Sequence, residues 1–215
     1  ELVKADSLFE QKKYTESFDL YEQILDEEQL ASPKMLLKMA FIKEGLGDYS
    51  RALYFLNVYY QKTSDKQART KMKGIAEEHN LSGFDINDSD FFLNLLNKYK
   101  SIVAYSIFGF SLILLALILY QKYGARTRPV LLSILFVATQ VILINVLNYS
   151  NVNSQAIIIE SNSYLMSGPS SGADFVEIVD KGHRVKTFDE HGPWLEILWN
   201  DKVVYIKKNR VKKLG

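Results

Sequence analysis

The chain has 215 residues, 26 Lys+Arg against 25 Asp+Glu and a formal net charge of +1, which excludes the global basic field that draws proteins to nucleic acid. It has no cysteine, so disulfides, thiol catalysis and thiolate metal sites are excluded as well. The length leaves room for two small modules and a helical hairpin rather than one large catalytic core.

Residues 1–80 read as helices joined by short turns. Tyr14, Ser17, Phe18, Tyr21, Ile24 and Leu25 recur at spacings of three and four, which marks one buried helix face. The pattern returns 35 residues later, where Asp48-Tyr49-Ser50-Arg51-Ala52 corresponds to Lys13-Tyr14-Thr15-Glu16-Ser17. Ala5 and Ala40 occupy a small position in the first helix of each unit, Ser17 and Ala52 in the second, and Tyr21 and Leu56 the large apolar position that follows. Close helix crossing leaves no room for a longer side chain at the small positions. Gly45 and Gly47 suit the turn inside the second unit, and Ser32-Pro33 suits a helix start. A third helix over roughly Ser64 to His79 is expected to cap the stack.

This segment resembles tetratricopeptide repeats, with Lys12-Lys13 where the family prefers Gly-Asp. The resemblance implies a partner-binding concave face holding Leu2, Asp6, Phe9, Lys34, Leu37, Phe41 and Glu44. The other reading of Phe9, Leu37 and Phe41 is ordinary core of a short stack.

Asn80 to Asp90 is rich in Gly, Ser, Asn and Asp, the chemistry of a linker. Asp88 or Ser89 then caps a helix whose stripe of Phe91, Phe92, Leu95, Leu96 and Tyr99 leads without a breaker into an apolar run, so residues 81–100 are read as linker plus amphipathic helix. Lys98 and Lys100 are placed to snorkel to headgroups.

Two runs without any ionisable side chain follow, Ser101 to Tyr120 and Val130 to Leu147, each long enough to cross a hydrocarbon core of about 30 Å. They predict a transmembrane hairpin over 101–148; a buried helical pair is the alternative. Tyr99, Tyr105, Tyr120, Tyr123 and Tyr149 lie near the run ends, where aromatic rings with a polar tip suit the interface. The connecting loop 121–129 carries Lys122, Arg126 and Arg128 and no acid, which by the positive-inside rule places it in the cytoplasm and both flanking modules on the far side. Glu1 opens directly into a helical pattern, so a cleaved signal peptide is expected. In the second run Gln140 and Asn145 are costly in lipid without a partner. Gln140, near mid-depth, is the candidate for a contact across the hairpin or into another subunit, while Asn145 is near enough to the end for headgroup solvation.

After a second linker over 149–154, residues 155–215 change pattern. Ala156 to Ile159, Phe175 to Val179, His183 to Phe188, Trp194 to Leu198 and Lys202 to Ile206 are short, β-branched and aromatic, with turn signals between them. They predict a small barrel or sandwich. Ser167-Gly168-Pro169-Ser170, Lys181-Gly182, Gly192-Pro193-Trp194 and the strand and turn from Val203 to Val211 resemble bacterial SH3-like domains; Met166 and Val204-Tyr205-Ile206 depart from the family pattern. Tyr164, Trp194, Trp199 and Tyr205 are candidates for an aromatic face that binds an extended peptide or a cell-wall strand, with Trp194 as barrel wall the other reading. Lys207, Lys208, Arg210, Lys212 and Lys213 form a basic run, read either as an edge that discourages strand pairing or as a surface attracted to anionic headgroups or a partner.

His79, His183 and His191 lack second ligands at a recognised metal spacing, and no phosphate-cradling loop or nucleophile elbow occurs. The chain therefore reads as a non-enzyme with no metal or cofactor expected. The order of modules resembles the BatE-type proteins of bacterial aerotolerance (Bat) operons. That resemblance implies a two-pass inner-membrane protein with periplasmic N- and C-terminal domains, a non-catalytic scaffold whose partners are von Willebrand factor A-domain membrane proteins and a MoxR-type ATPase system. Peptidoglycan binding through the SH3-like domain is the alternative, and an envelope enzyme a third, weaker one.

Overall fold

The computed structural model describes residues 1–28, 31–84, 88–124, 128–148 and 154–214. Arg126, Tyr149 and most of the expected second linker lie outside the described residues, as do the side chains of Asp88, Ser89, Phe91, Phe92, Leu95, Leu96 and Lys98. The chain divides into two compact units, one made of Glu1–Asn87 with Asn153–Gly215 and the other of Asp88–Val152.

The first unit opens with five helices: α1 Leu2–Glu10, α2 Tyr14–Glu28, α3 Pro33–Gly45, α4 Tyr49–Thr63 and α5 Lys66–Glu78. Local chemistry fixes the starts of α3, α4 and α5. The Ser32 hydroxyl accepts the Met35 N–H with Pro33 in the first turn, and Asp48 and Asp65 accept the Arg51 and Gln67 N–H groups at the heads of α4 and α5. The four small positions are all buried: Ala5, Ser17 and Ala52 are fully enclosed and Ala40 nearly so. Ser17 also donates its hydroxyl to the Ala5 carbonyl at 2.8 Å, so at that crossing the small residue binds one helix to the next. Phe18, Tyr21, Met39, Phe55 and Met72 fill the space around these crossings.

Seven strands complete the unit: β1 Gln155–Ile158, β2 Ser163–Met166, β3 Phe175–Val179, β4 Arg184–His191, β5 Trp194–Trp199, β6 Lys202–Lys207 and β7 Val211–Leu214. They form one antiparallel sheet in the order β3-β2-β6-β5-β4-β1-β7. Asn200 and Asp201 both take positive φ and close the tight β5–β6 hairpin, as that turn chemistry demands. Val179 of β3 and Val211 of β7 belong to the same buried cluster as Leu165, Leu195, Ile197 and Ile206. In a flat sheet those two edge strands would stand about 29 Å apart, so sharing one core requires the sheet to curl over it.

Two strands went unread in the sequence. Ser163–Met166 is short and not β-branched, and Val211–Leu214 lies inside the basic run. Part of the run is an edge strand: β7 ends the sheet and pairs with β1 along four residues. Lys208 and Lys213 converge on Glu190, and their hydrogen bonds hold that carboxyl down at about 2.

Helices and sheet pack as one unit, with α4 against β1 and β7. Residues 81–84, which carry the composition of a linker, clasp the β3–β4 turn. The Ser82 N–H donates to His183 Nδ1 at 3.0 Å, and the Arg184 N–H donates back to the Ser82 carbonyl at 3.0 Å. Arg184 Nε donates to the Gly83 carbonyl at 2.6 Å, and its guanidinium lies 5.0 Å from the Phe84 ring centre. Lys181 pairs with Asp48, and Lys212 covers the Tyr54 ring.

His183 accepts that bond through a bare ring nitrogen, so the neutral form is the one that fits. Burial pushes its pKa below 6.5 against the upward pull of Asp180 and Glu177. A basic group with a depressed folded value contributes stability above its unfolded pKa and loses it as pH falls below about 6.5. Between pH 7 and 5 the thermal midpoint of the wild-type chain should fall a few degrees further than that of His183→Gln. Parallel curves for the two proteins would remove His183 from the joint's pH response.

The second unit contains α6 Asp88–Leu119, a π turn over Tyr120–Gly124, and α7 Val130–Asn148. The amphipathic stretch and the first apolar run are one continuous helix, as the absence of a breaker predicts. Two segments, Tyr99–Gly124 and Val130–Asn148, are long and apolar enough to cross a membrane, and little of either is buried within the protein. Along α6, Tyr99 and Tyr120 are separated by about 31 Å of helix, close to the hydrocarbon thickness. Among the described residues, Ala104, Ser111, Leu114 and Thr139 are the buried positions of the pair; the small ones let two backbones approach. Ser111 and Thr139 satisfy their hydroxyls on Phe108 and Phe136 carbonyls of their own helices, and Lys100 Nζ reaches across to the Leu147 carbonyl at 2.7 Å.

Candidate functional site

The site begins with an accident of helix spacing. Leu37 and Phe41 lie one turn apart on α3, on the side opposite to Met35, Leu36, Met39 and Ile42, which fill the core. The buried stripe is satisfied without them. Leu37 is left 40% exposed and Phe41 54% exposed.

Phe41 packs edge-on to Phe9 of α1 and Tyr14 of α2, with ring centres 5.8 Å away in both cases, and Phe9 and Tyr14 meet at 5.5 Å. Phe9 and Phe41 of this cluster help to line a groove of about 380 Å³, together with Leu37, Lys38, Ala40, Glu44, Leu56 and Lys71. Ala40 and Leu56 are its buried floor. Only a residue as small as Ala40 leaves the depression open between α3 and α4.

Charged pairs bound both ends. At one, Lys38 Nζ stands 2.9 Å from Asp6 and 3.5 Å from Glu10, and 4.6 Å from the Phe9 ring centre. Tyr21, fully buried, donates its hydroxyl to the same Asp6 oxygen. Burial opposes ionisation of Asp6, but hydrogen bonds from Tyr21 and Lys38 outweigh it and hold the carboxyl below its ordinary value. Burial likewise opposes the charge on Lys38 and is outweighed by Asp6, so its pKa rises. The Tyr21 phenol is pushed up to about 12 by burial and then by Asp6. At the other end Lys71 of α5 pairs with Glu44 of α3. The groove thus has an apolar middle and fixed charges of both signs at its ends. That geometry suits an amphipathic segment with one or two apolar anchors.

Of the residues expected on a concave face, Phe9, Leu37, Phe41 and Glu44 are brought together here. Lys34 stands exposed on the first turn of α3, outside the lining. Lys38, Leu56 and Lys71 were missed. Lys38 had a signal: it is a cation within the otherwise apolar run Met35–Ile42, and such a residue is rarely enclosed without a partner. Lys71 had none, because the register of α5 against α3 is set only by packing.

The four aromatic residues expected on the sheet do not all lie on one side of it. Trp194 is 6% exposed and belongs to the wall. Trp199 turns its edge to His183 and donates Nε1 to Glu177 at 2.7 Å. Tyr205 meets His191 and donates to Glu196, and Tyr164 pairs with Phe175. By strand register Trp199 shares the core side with Leu195 and Ile197, whereas Trp194, Tyr205 and Tyr164 share the opposite side on the adjacent strands β5, β6 and β2. In the hairpin, Asn145 donates to the Val141 carbonyl of its own helix at 2.8 Å. Gln140 is half-buried and makes no hydrogen bond among the described residues. Also among the described residues, no three His, Asp or Glu side chains stand where they would hold a metal ion.

Compared with known proteins, the chain matches no protein-family model, no curated protein and no solved structure.

Proposed function

We propose that this chain is a non-catalytic membrane-anchored adaptor that holds an amphipathic segment of a partner protein in the groove between α1, α3 and α4. The observation that carries the reading is the pair Leu37 and Phe41, apolar side chains left uncovered over a small-residue floor between two fixed ion pairs. Uncovered apolar surface framed by charge is what interaction sites present. The two helical hairpins repeating at 35 residues, with small residues at every crossing, support a tetratricopeptide-like module. The curled antiparallel sheet supports an SH3-like one. With the apolar helix pair between them, they support the BatE-type reading, in which the partners are von Willebrand factor A-domain membrane proteins served by a MoxR-type ATPase, the helix pair spans the inner membrane and both modules face the periplasm.

The test is co-purification of the full chain from mild detergent, with Leu37→Ser and Phe41→Ser combined. Both side chains are exposed, so the fold should tolerate the change, whereas loss of two central apolar anchors should reduce partner recovery by about 30-fold or more. An unchanged set of partners at unchanged yield would overturn the groove as the binding site.

A further inference from the structure

The described cations of the hairpin loop sit at the mouth of an apolar cleft. Between the end of α6 and the start of α7 lies a depression of about 710 Å³ whose lining includes Lys122 and Arg128 at one end and Ile118, Ile134 and Val137 along its length. This is within the range that binding clefts take. Ile134 and Val137 are 63% and 60% exposed, so their faces are turned to whatever surrounds the helices.

The ends of the cleft differ in chemistry. No acidic residue occurs from Ser101 to Ile159, so nothing within these runs neutralises Lys122 and Arg128. Tyr120 and Tyr123, both about 70% exposed, flank Lys122. Rings of this kind settle at the boundary between hydrocarbon and headgroups, which puts the two cations at headgroup depth and the Ile and Val walls at acyl depth. The π turn over Tyr120–Gly124 widens the helix end there.

Resting on the reading of α6 and α7 as membrane spans, we infer that this cleft binds one anionic glycerophospholipid, its phosphate between Lys122 and Arg128 and an acyl chain along Ile118, Ile134 and Val137. A free anion would use only the cations and an apolar protein segment only the walls. A lipid with a charged head and an apolar tail uses both.

Native mass spectrometry of the full chain in an uncharged detergent tests the site, with phosphatidylglycerol and phosphatidylcholine of identical acyl chains as probes. Two cations near a phosphate should favour phosphatidylglycerol by about 30-fold. Lys122→Gln with Arg128→Gln should bring its retention down to the phosphatidylcholine level, and millimolar inorganic phosphate should not displace it. Equal retention of the two lipids, or a double variant that binds phosphatidylglycerol as before, overturns the lipid site alone. Displacement by inorganic phosphate assigns a free-anion site instead. Recovery of the chain in the aqueous fraction without detergent overturns the spanning reading and this inference together.

Discussion

Gly83→Ala should separate the sheet from the helices. Gly83 has φ +88°, and a Cβ built there would lie 2.0 Å from the Arg184 carbonyl oxygen and 2.9 Å from its carbon. Both obstacles are backbone, so no rotamer change relieves them. The left-handed backbone adds its own penalty for any residue with a Cβ. The variant must move residues 82–84 away from β4, and in doing so it loses the Arg184 bonds to Gly83 and Ser82 and leaves the His183 ring nitrogen unpaired. The expected cost is about 3 kcal/mol or more, read as a lower denaturation midpoint of the full chain in detergent, with faster hydrogen exchange where α4 meets β1 and β7. Gly74→Ala is the control. Gly74 is an exposed interior position of α5 with open space around it, and Ala there should stabilise by about 0.5–1 kcal/mol. A Gly83→Ala protein within 0.5 kcal/mol of wild type would mean that the joint contributes little to holding the modules together.

The joint changes what kind of adaptor this is. Two modules on a flexible tether sample many relative positions, and a partner that touches both must fix them at an entropic cost. Here the helices and the sheet are one packed unit, so any partner spanning them meets a surface already ordered. The lone acceptor on His183 adds a condition to that order, since protonation below about pH 6.5 removes one of its hydrogen bonds.

What could be read from the sequence was whatever local pattern dictates. The small residues Ala5, Ser17, Ala40 and Ala52 announced helix crossings because no other chemistry fits them. Ser32-Pro33 announced a helix start because cap geometry is set within a few residues. The apolar runs gave two long helices on length alone. Composition misread what depends on distant partners. Ser82 and Gly83 have linker chemistry, yet they form a joint, because the His183 ring nitrogen and the Arg184 guanidinium that hold them arrive 101 residues later. Val211–Leu214 reads as part of a basic run, and that it forms a strand depends on β1 and on the countercharge of Glu190. The groove was half legible for the same reason: Phe9, Leu37, Phe41 and Glu44 were expected from the resemblance to tetratricopeptide repeats, whereas Lys71 depends on how α5 packs. The sheet's aromatic residues were grouped by type, but alternation sent Trp199 to the core side and the other three to the opposite one.

The largest effect at the groove itself should come from breaking its anchored charge. The Lys38 side chain is only 10% exposed and Asp6 35%, so Asp6→Ala leaves an enclosed ammonium with Glu10 as its remaining carboxylate, at 3.5 Å and far more exposed. It also takes away the acceptor of the buried Tyr21 hydroxyl. Stranding an enclosed charge and a buried donor together should cost about 3 kcal/mol. Lys38→Met, which removes the charge and keeps the bulk, should cost less. The double variant should be more stable than the sum of the two single losses predicts, by about 1 kcal/mol or more. Two pH windows accompany the network. Asp6 has a folded pKa below 3.8, so its contribution is complete above that value and disappears as pH falls through the folded one. Tyr21 is an acid with a folded pKa raised to about 12, so its contribution is complete below 10 and is lost as pH rises toward 12. In Asp6→Ala the Tyr21 phenolate, followed by absorbance against a Tyr21→Phe reference, should titrate at lower pH yet still above 10, because burial is the larger cause of its shift. Additive losses, or a Tyr21 midpoint unmoved by Asp6→Ala, would show that the three side chains do not act as one network, and the fixed charge at that end of the groove would have to be explained by Glu10 alone.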